Sequence, residues 1–197
     1  MAYLEPPPSY IKDWNWHWAQ WLNKVYESIA WRGVLISPSA NTTGLSTTAN
    51  AYTPIVFDTI THDTYNMVSQ DGGTGADDTI VTIPEGVQRV RYTLQTTWNI
   101  GTSSSGIAQM GVFINATQTS NLWTSSSNDQ RVGQAVTAGN GWSAFAGNFS
   151  FQMSSGVVQV QAGDVISMGV RYTVTTGSPT VFVHSENATF FSLEIME

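Results

Sequence analysis

The sequence contains no cysteine, and this absence excludes several classes of protein at once. Disulfide scaffolds, cysteine-ligated zinc or iron–sulfur sites and cysteine nucleophiles all need a sulfur that the chain lacks. Charged residues are also scarce, at 11% of 197 residues. With 7 basic against 14 acidic side chains, the net charge is -7, and no basic cluster is present to neutralise a row of phosphates. Nucleic acids and anionic membrane surfaces are therefore not expected as partners.

Long hydrophobic runs are missing as well. No apolar stretch approaches the roughly 20 residues of a membrane helix, and the first residues lack the basic-then-apolar order of a signal peptide. We therefore expect a soluble protein made in the cytoplasm. Its length suits one main domain with a small additional element.

The first 32 residues differ from the rest in composition. Three consecutive prolines at 6–8 remove backbone donors and predict an extended arm. From Tyr10 onward, apolar residues recur at steps of three and four and predict one amphipathic helix of about 20 residues, which Gly33 can end. The arm and the apolar stripe supply the candidate anchor or helix interface: Tyr3, Leu4, Ile11, Trp14, Trp18, Trp21 and Val25.

A tryptophan-rich helix stripe would expose a large apolar patch on a monomer, and soluble monomers avoid such patches. Three helices would accommodate the bulky indoles better than two in a coiled-coil register. Packing on the chain's own domain, or in a groove of another protein, is the alternative. Domain 1–32 is thus predicted as an anchoring or oligomerisation element.

Residues 33–52 carry no charge and are rich in serine, threonine, asparagine and glycine, which predicts a linker or a loosely packed crossing segment. From 53 to 197, apolar and polar residues alternate repeatedly. Strands are predicted over 89–98, with Val90, Tyr92, Leu94 and Trp98 on one face, over 108–114, with Ala108, Met110, Val112 and Ile114, and around Phe145, Phe149, Phe151 and Met153. This period of two is typical of half-buried antiparallel strands. Eight to ten short strands separated by turns predict an all-β sandwich or barrel.

Glycine-rich dipeptides and tripeptides mark the expected turns between these strands. They are Asp71-Gly72-Gly73, Pro84-Glu85-Gly86, Gly139-Asn140-Gly141, Ser154-Ser155-Gly156, Gly163-Asp164 and Gly177-Ser178-Pro179.

Four segments occur in an order that resembles the complement-type globular head and tumour necrosis factor-like jelly rolls. The run 82–92 (TIPEGVQRVRY) resembles the entry into the main sheet, and 111–115 (GVFIN) a later strand. The run 158–166 (VQVQAGDVI) looks like the family's hairpin with a Gly-Asp turn, and 187–195 (NATFFSLEI) like its closing strand. The resemblance covers about residues 53–197 and implies an antiparallel jelly-roll sandwich behind the N-terminal arm and single amphipathic helix.

The resemblance also implies a homotrimer, because family members pack three jelly rolls around an axis. The implied trimer-axis candidates are Tyr92, Phe190, Phe191, Leu193 and Ile195. The closing strand departs from the family pattern, since Ser192 and Leu193 stand where a glycine usually lies beside the phenylalanine. Packing near the axis is therefore expected to differ in detail.

Jelly-roll trimers with short N-terminal anchors are similar to decoration proteins, head fibres and fibre knobs of tailed bacteriophages. The resulting hypothesis is a homotrimeric virion protein that decorates the capsid as a cement or head-fibre protein. It would be made in the host cytoplasm and bind the major capsid protein, or another virion protein, through its N-terminus. The alternative is a receptor-binding knob of a tail fibre that recognises a host surface glycan.

The sequence contains few residues that are suited to catalysis. The three histidines, at 17, 62 and 184, lie far apart, and no known hydrolase, metalloprotease or phosphate-loop motif occurs. His62 beside Asp63 is more typical of a solvated pair than of a catalytic triad. We therefore predict that the protein is not an enzyme and uses no cofactor and no metal.

Two further segments carry residues that are suited to binding a ligand. The loop with Asp71, Asp77 and Asp78 offers carboxylates for calcium, but an Asp/Gly-rich hairpin turn explains it better. Trp123 and Asn128 lie in a polar segment suited to stacking on and bonding a sugar, whereas Trp98 is expected in the core.

Three arginines, at 89, 91 and 171, fall opposite the apolar faces of their strands. They are expected either to pair with Asp164 or Glu194 across a subunit interface or to face water.

Overall fold

The computed structural model describes residues 20, 31–70, 79–119, 122–124, 134–185 and 189–196. The predicted arm and most of the predicted helix lie outside these residues. Thirteen strands occur in the described part of the chain. They are β1 (Gly33–Ser37), β2 (Ala51–Pro54), β3 (Thr59–Asp63), β4 (Val68–Gln70), β5 (Thr79–Thr82), β6 (Arg89–Ile114), β7 (Thr117–Thr119), β8 (Leu122–Thr124), β9 (Gln134–Ser154), β10 (Val158–Gln159), β11 (Val165–Thr176), β12 (Val181–Val183) and β13 (Phe190–Ile195).

The strands form two antiparallel layers that share β6 and β9. The first layer runs β3-β1-β13-β6-β9 and uses the first half of β6 with the second half of β9. The second layer runs β4-β5-β11-β6-β9 and uses the other halves. Register shifts between Ile100 and Ser104 and between Ser104 and Gly106 let both long strands pass from one layer to the other.

The core lies between the two layers, where alternate residues of each strand point inward. Tyr92, Leu94 and Trp98 of β6 are at most 2% exposed, and Phe191 and Leu193 of β13 are fully buried. This confirms the predicted alternation and the prediction that Trp98 belongs to the core. The all-β, antiparallel fold predicted from the sequence is therefore present.

A small ribbon of β2, β8 and β7 covers part of the outer side of the second layer. Tyr52 and Phe113 form a second apolar cluster there, with their ring centroids 5.0 Å apart in an edge-on arrangement. The Arg171 guanidinium lies 5.4 Å from the centre of the Tyr52 ring and donates to the Thr48 carbonyl. Arg171 is thus engaged within its own chain.

The prediction of a linker over 33–52 is wrong at both ends of the segment, where the structure has strands. Strand β1 pairs with both β13 and β3, and its Val34 and Ile36 are fully buried. Ala51 and Tyr52 belong to β2 and are also buried. The average composition of twenty residues concealed a short apolar run, Val34-Leu35-Ile36, which is enough for one strand with a buried face.

The turn predicted at Gly139-Asn140-Gly141 is wrong as well. These residues continue β9 and pair with Gln109, Ala108 and Ile107 of β6. Two predicted strands, over 89–98 and 108–114, are likewise one strand, β6. Glycine in a strand marks a bend or a close approach of backbone as well as a turn, and the sequence alone does not distinguish these uses.

Among the described residues, no helix has the length and hydrophobicity of a membrane span.

Candidate functional site

The two described histidines do not belong to a common cluster of reactive groups. His62 Nε2 lies 2.9 Å from the Thr64 hydroxyl, and the His184 ring packs against Phe182. The Asp63 carboxylate accepts hydrogen bonds from the backbone N–H groups of Met67 and Val68. It therefore caps a turn instead of orienting His62. No group of three residues suited to holding a metal occurs within the described ranges.

Strand β9 forms one open edge of the sandwich. Among the described strands it pairs only with β6, so its other side has no neighbour among them. Phe145, Phe149 and Phe151 point from this strand toward the interior but remain half-buried. We call these three residues the phenylalanine row.

Aromatic contacts hold the phenylalanine row in place. Phe149 and Phe151 stack with ring centroids 6.2 Å apart, and Phe151 stacks on the buried Trp98 at the same distance. Phe145 meets Phe149 edge-on at 5.9 Å. Offset stacked and edge-on rings at this spacing are favourable geometries. The row is thus preorganised on the core, and each of its rings keeps a minor part of its surface accessible.

The outer face of the first layer is polar instead of apolar. Three pairs of short polar side chains form hydrogen bonds between β6 and β9. The pairs are Thr93 with Ser154 at 3.0 Å, Thr97 with Ser150 at 2.7 Å, and Asn99 with Asn148 at 2.6 Å. This face therefore offers hydroxyl and amide groups to water or to a polar partner.

A salt bridge lies at one end of this polar face. Arg91 Nη2 and Glu194 Oε2 are 2.6 Å apart, on paired positions of β6 and β13. The sequence thus predicted Glu194 correctly as a partner of Arg91, but the salt bridge forms within one chain. Asp164, the other expected partner, accepts a hydrogen bond from the Asn115 side chain at 2.8 Å.

The five trimer-axis candidates divide into two groups. Tyr92, Phe191 and Leu193 lie inside the sandwich of a single chain and have no exposed surface left for a contact between subunits. Phe190 and Ile195 are half-buried and keep some exposed area. The alternation along the strand was predicted correctly, but the inward face of β13 packs on its own chain.

Most of the remaining predicted site residues lie outside the described part of the chain. Residues Tyr3, Leu4, Ile11, Trp14, Trp18, Trp21 and Val25 lie outside the described residues, as do Asn128 and the loop with Asp71, Asp77 and Asp78. The backbone of Trp123 belongs to β8 and pairs with Tyr52.

The phenylalanine row was not identified as a surface from the sequence. Its alternation predicted inward-facing residues, and the structure confirms that direction. What the sequence did not reveal is that β9 borders the sandwich, since strand order depends on pairing between distant segments. A weak signal exists, because three phenylalanines fall within seven residues of a single strand.

Burial raises the pKa of the Tyr92 phenol from 10.0 to about 12. The folded state holds the phenol proton more tightly than the unfolded state. The free energy of unfolding is therefore independent of this group below pH 10, and it falls as the pH rises from 10 to 12. Two pKa units correspond to about 3 kcal/mol. We expect Tyr92→Phe to remove this alkaline step from the pH dependence of the free energy of urea unfolding.

The exposed Tyr65 provides the matched control, since its side chain is 44% exposed. Tyr65→Phe should leave the alkaline step unchanged. Equal loss of stability between pH 10 and 12 in wild type and Tyr92→Phe would show that the Tyr92 phenol does not govern the transition.

Solved structures provide the comparison with known proteins. The chain is similar to Eiger TNF from S. frugiperda, with a TM-score of 0.51 and 7% identity over 85% of this chain and 93% of that one. It is similar to murine APRIL at pH 5.0, with a TM-score of 0.50 and 10% identity over 85% of this chain and 100% of that one. The globular domain of zebrafish complement 1qA protein has a TM-score of 0.47 and 9% identity, over 85% and 98% of the two chains.

No protein-family model and no curated protein matches the sequence. The structural similarity therefore establishes the fold, a TNF-like jelly roll, which agrees with the resemblance found in the sequence.

Proposed function

We propose that this TNF-like jelly roll is a homotrimeric structural protein of a tailed-phage virion, attached to the particle through residues 1–32. The observation that carries the trimer is the phenylalanine row, a preorganised apolar edge on a strand with no outer neighbour among the described strands. A second copy that covers this edge would bury the exposed parts of three rings and close the sandwich. The resemblance to trimeric jelly rolls supports the same assembly.

The attachment role rests on the sequence before β1. That segment contains the predicted anchor residues, among them Trp14 and Trp18, and it leads directly to Gly33 at the start of β1. Buried aromatic side chains are the residues that most often dominate binding energy at protein interfaces. Three copies on one trimer would bind a three-fold position of a capsid with a strong gain from avidity.

A decoration protein needs no reactive site, and the groups available agree with such a role. In the described ranges, the carboxylate next to His62 is bonded to the backbone, and the polar side chains of the first layer bond to one another. These groups stabilise loops and strands. The proposed partner is the major capsid protein or another virion protein.

The attachment is tested by deleting residues 1–30, which leaves β1 and the rest of the sandwich intact. We expect the shortened chain to stay folded and to be absent from purified virions of the phage that encodes it, whereas the full chain is incorporated. Quantitative mass spectrometry of the virions measures this. Incorporation of the shortened chain at the full-length level would overturn the attachment role.

A receptor-binding knob of a tail fibre would use the same trimer but another position on the particle. Immunogold labelling of intact virions separates the two: label distributed over the head supports decoration, and label confined to the fibre tips supports the knob.

A further inference from the structure

A cleft of about 320 Å³ crosses the outer face of the first layer at the end where β1 begins and β13 ends. Its lining consists of Trp31, the Arg91–Glu194 pair and four residues with hydroxyl side chains, which we call the Trp31 wall, the charged wall and the floor. None of these residues belongs to the phenylalanine row. The cleft therefore lies on a different side of β9 from the proposed subunit contact.

The Trp31 wall is an exposed aromatic surface in a fixed position. Its side chain is 38% exposed, and its ring packs against the His62 ring with centroids 4.9 Å apart and planes tilted by 50°. A large ring that contacts a neighbouring ring and keeps exposed surface can stack on an apolar ligand face while losing little side-chain freedom.

The charged wall carries both signs and is therefore neutral in total. Arg91 and Glu194 bond at 2.6 Å, and their side chains remain 52% and 35% exposed. The guanidinium has five N–H donors and the carboxylate has several lone pairs, so a single mutual bond leaves donors and acceptors free. Adjacent donors and acceptors of this kind suit a pair of neighbouring hydroxyl groups on a ligand.

The floor of the cleft consists of hydroxyl groups. Thr93 Oγ1 and Ser154 Oγ are 3.0 Å apart, and the Ser155 hydroxyl accepts from the Tyr92 backbone N–H at 2.8 Å. Ser192 lies beside them on β13. Each hydroxyl can donate once and accept twice, so bonds within the floor leave capacity for a ligand.

We propose that this cleft binds a neutral carbohydrate, with one pyranose ring stacked on Trp31 and its hydroxyl groups bonded to the Arg91–Glu194 pair and to the floor. A sugar ring has an apolar C–H face and a polar rim, and the two kinds of wall match these two sides. The volume lies at the lower end for ligand pockets, which fits a ligand of about one ring. Glu194 cancels the charge of Arg91, which disfavours an anionic sugar.

This site differs from the glycan contact that the sequence predicts at Trp123 and Asn128. It is a property of the single chain and holds whether or not the chain trimerises. In a trimer, three such clefts would raise the affinity for a surface that carries many sugars.

The test uses the full chain and a panel of methyl glycosides of glucose, galactose, mannose and N-acetylglucosamine, measured by saturation-transfer NMR and calorimetric titration. We expect at least one to bind, and Trp31→Ala to weaken it by about tenfold or more. Trp31→Phe should keep part of the affinity, and Trp123→Ala should leave it unchanged. Circular dichroism verifies that each variant is folded, and Glu194→Gln replaces Trp31→Ala if the latter does not fold.

Three outcomes overturn the proposal. No neutral glycoside of the panel binds at millimolar concentration; a glycoside binds but its affinity depends on Trp123 and not on Trp31; or methyl glucuronide, added to the panel as an anionic sugar, binds while the neutral glycosides do not. The native mass, measured on the same samples, reports on the trimer separately, so failure of the sugar site and failure of the trimer are distinguishable.

Discussion

Replacing Phe149 and Phe151 together by glutamine is expected to convert the trimer into folded monomers. Both rings are half-buried on the open edge of the sandwich, and a second copy would bury the remaining exposed area. That area is worth about 1 kcal/mol for each ring, and burying an amide without a partner costs about 1–3 kcal/mol more. Each interface would therefore weaken by about 4 kcal/mol or more, or roughly a thousandfold or more in association constant.

Light scattering measures the result as a change from about three chain masses to the single-chain mass of 21.4 kDa. Far-UV circular dichroism verifies that the double variant keeps its strands, since Phe151 also stacks on Trp98 in the core. The control is Ile107→Asp, which changes an exposed apolar residue of the second layer, 44% exposed, to a charged one. Ile107→Asp should stay trimeric. A trimer that persists in the double variant would show that the phenylalanine row is not the contact.

Gly33→Ala is expected to destabilise the sandwich even though it adds only one methyl group. A Cβ on Gly33 would lie 1.8 Å from the backbone carbonyl oxygen of Leu193, far inside van der Waals contact. Gly33 pairs with Glu194 in the β1–β13 ladder, so backbone must shift against backbone. Overpacking of this kind costs about 1–3 kcal/mol, and strand displacement adds to it.

Equilibrium urea unfolding measures the effect as a lower midpoint at unchanged slope. Gly156→Ala is the matched control, because a Cβ at Gly156 would have no atom within 4 Å. It should shift the midpoint little. If both substitutions have equal effects, the close approach of β1 to β13 does not limit residue 33 to glycine.

The sequence predicted the strands that have one buried face, since their alternation reports burial directly. Residues such as Leu94, Ile166 and Phe191 are all fully buried, as the pattern requires. Turns at Gly86, Gly163 and Gly177 were also predicted correctly, and all three adopt positive φ angles between 84° and 87°. At these positions the local chemistry of glycine determines the structure.

Features that depend on distant pairing were not predictable in the same way. Strand β1 is too short for its alternation to stand out in a polar segment, and its place is fixed by β13, about 160 residues later. Tyr92 and Leu193 were predicted at the trimer axis but are buried in the core of one chain. In a sequence, a strand face that packs in the core and a strand face that packs on another subunit show the same alternation. Arg91 and Glu194 were expected as partners, but only the register of β6 with β13 placed them in one chain.

The cleft also depends on the register of several strands. Its residues come from the start of the described chain, from β6, from β9 and from β13, and no local motif connects them. Trp31 had no predicted role beyond its position before Gly33 at the end of the helix. Only the fold brings its ring beside Arg91 and Glu194.

The most direct test of the central claim is the native mass of the full chain by light scattering over a dilution series. The account predicts a homotrimer, at about three times 21.4 kDa, that persists on dilution. A mass of one chain at all concentrations would contradict it, because the exposed edge of β9 would then have no partner and the proposed decoration of a three-fold position would lose its basis.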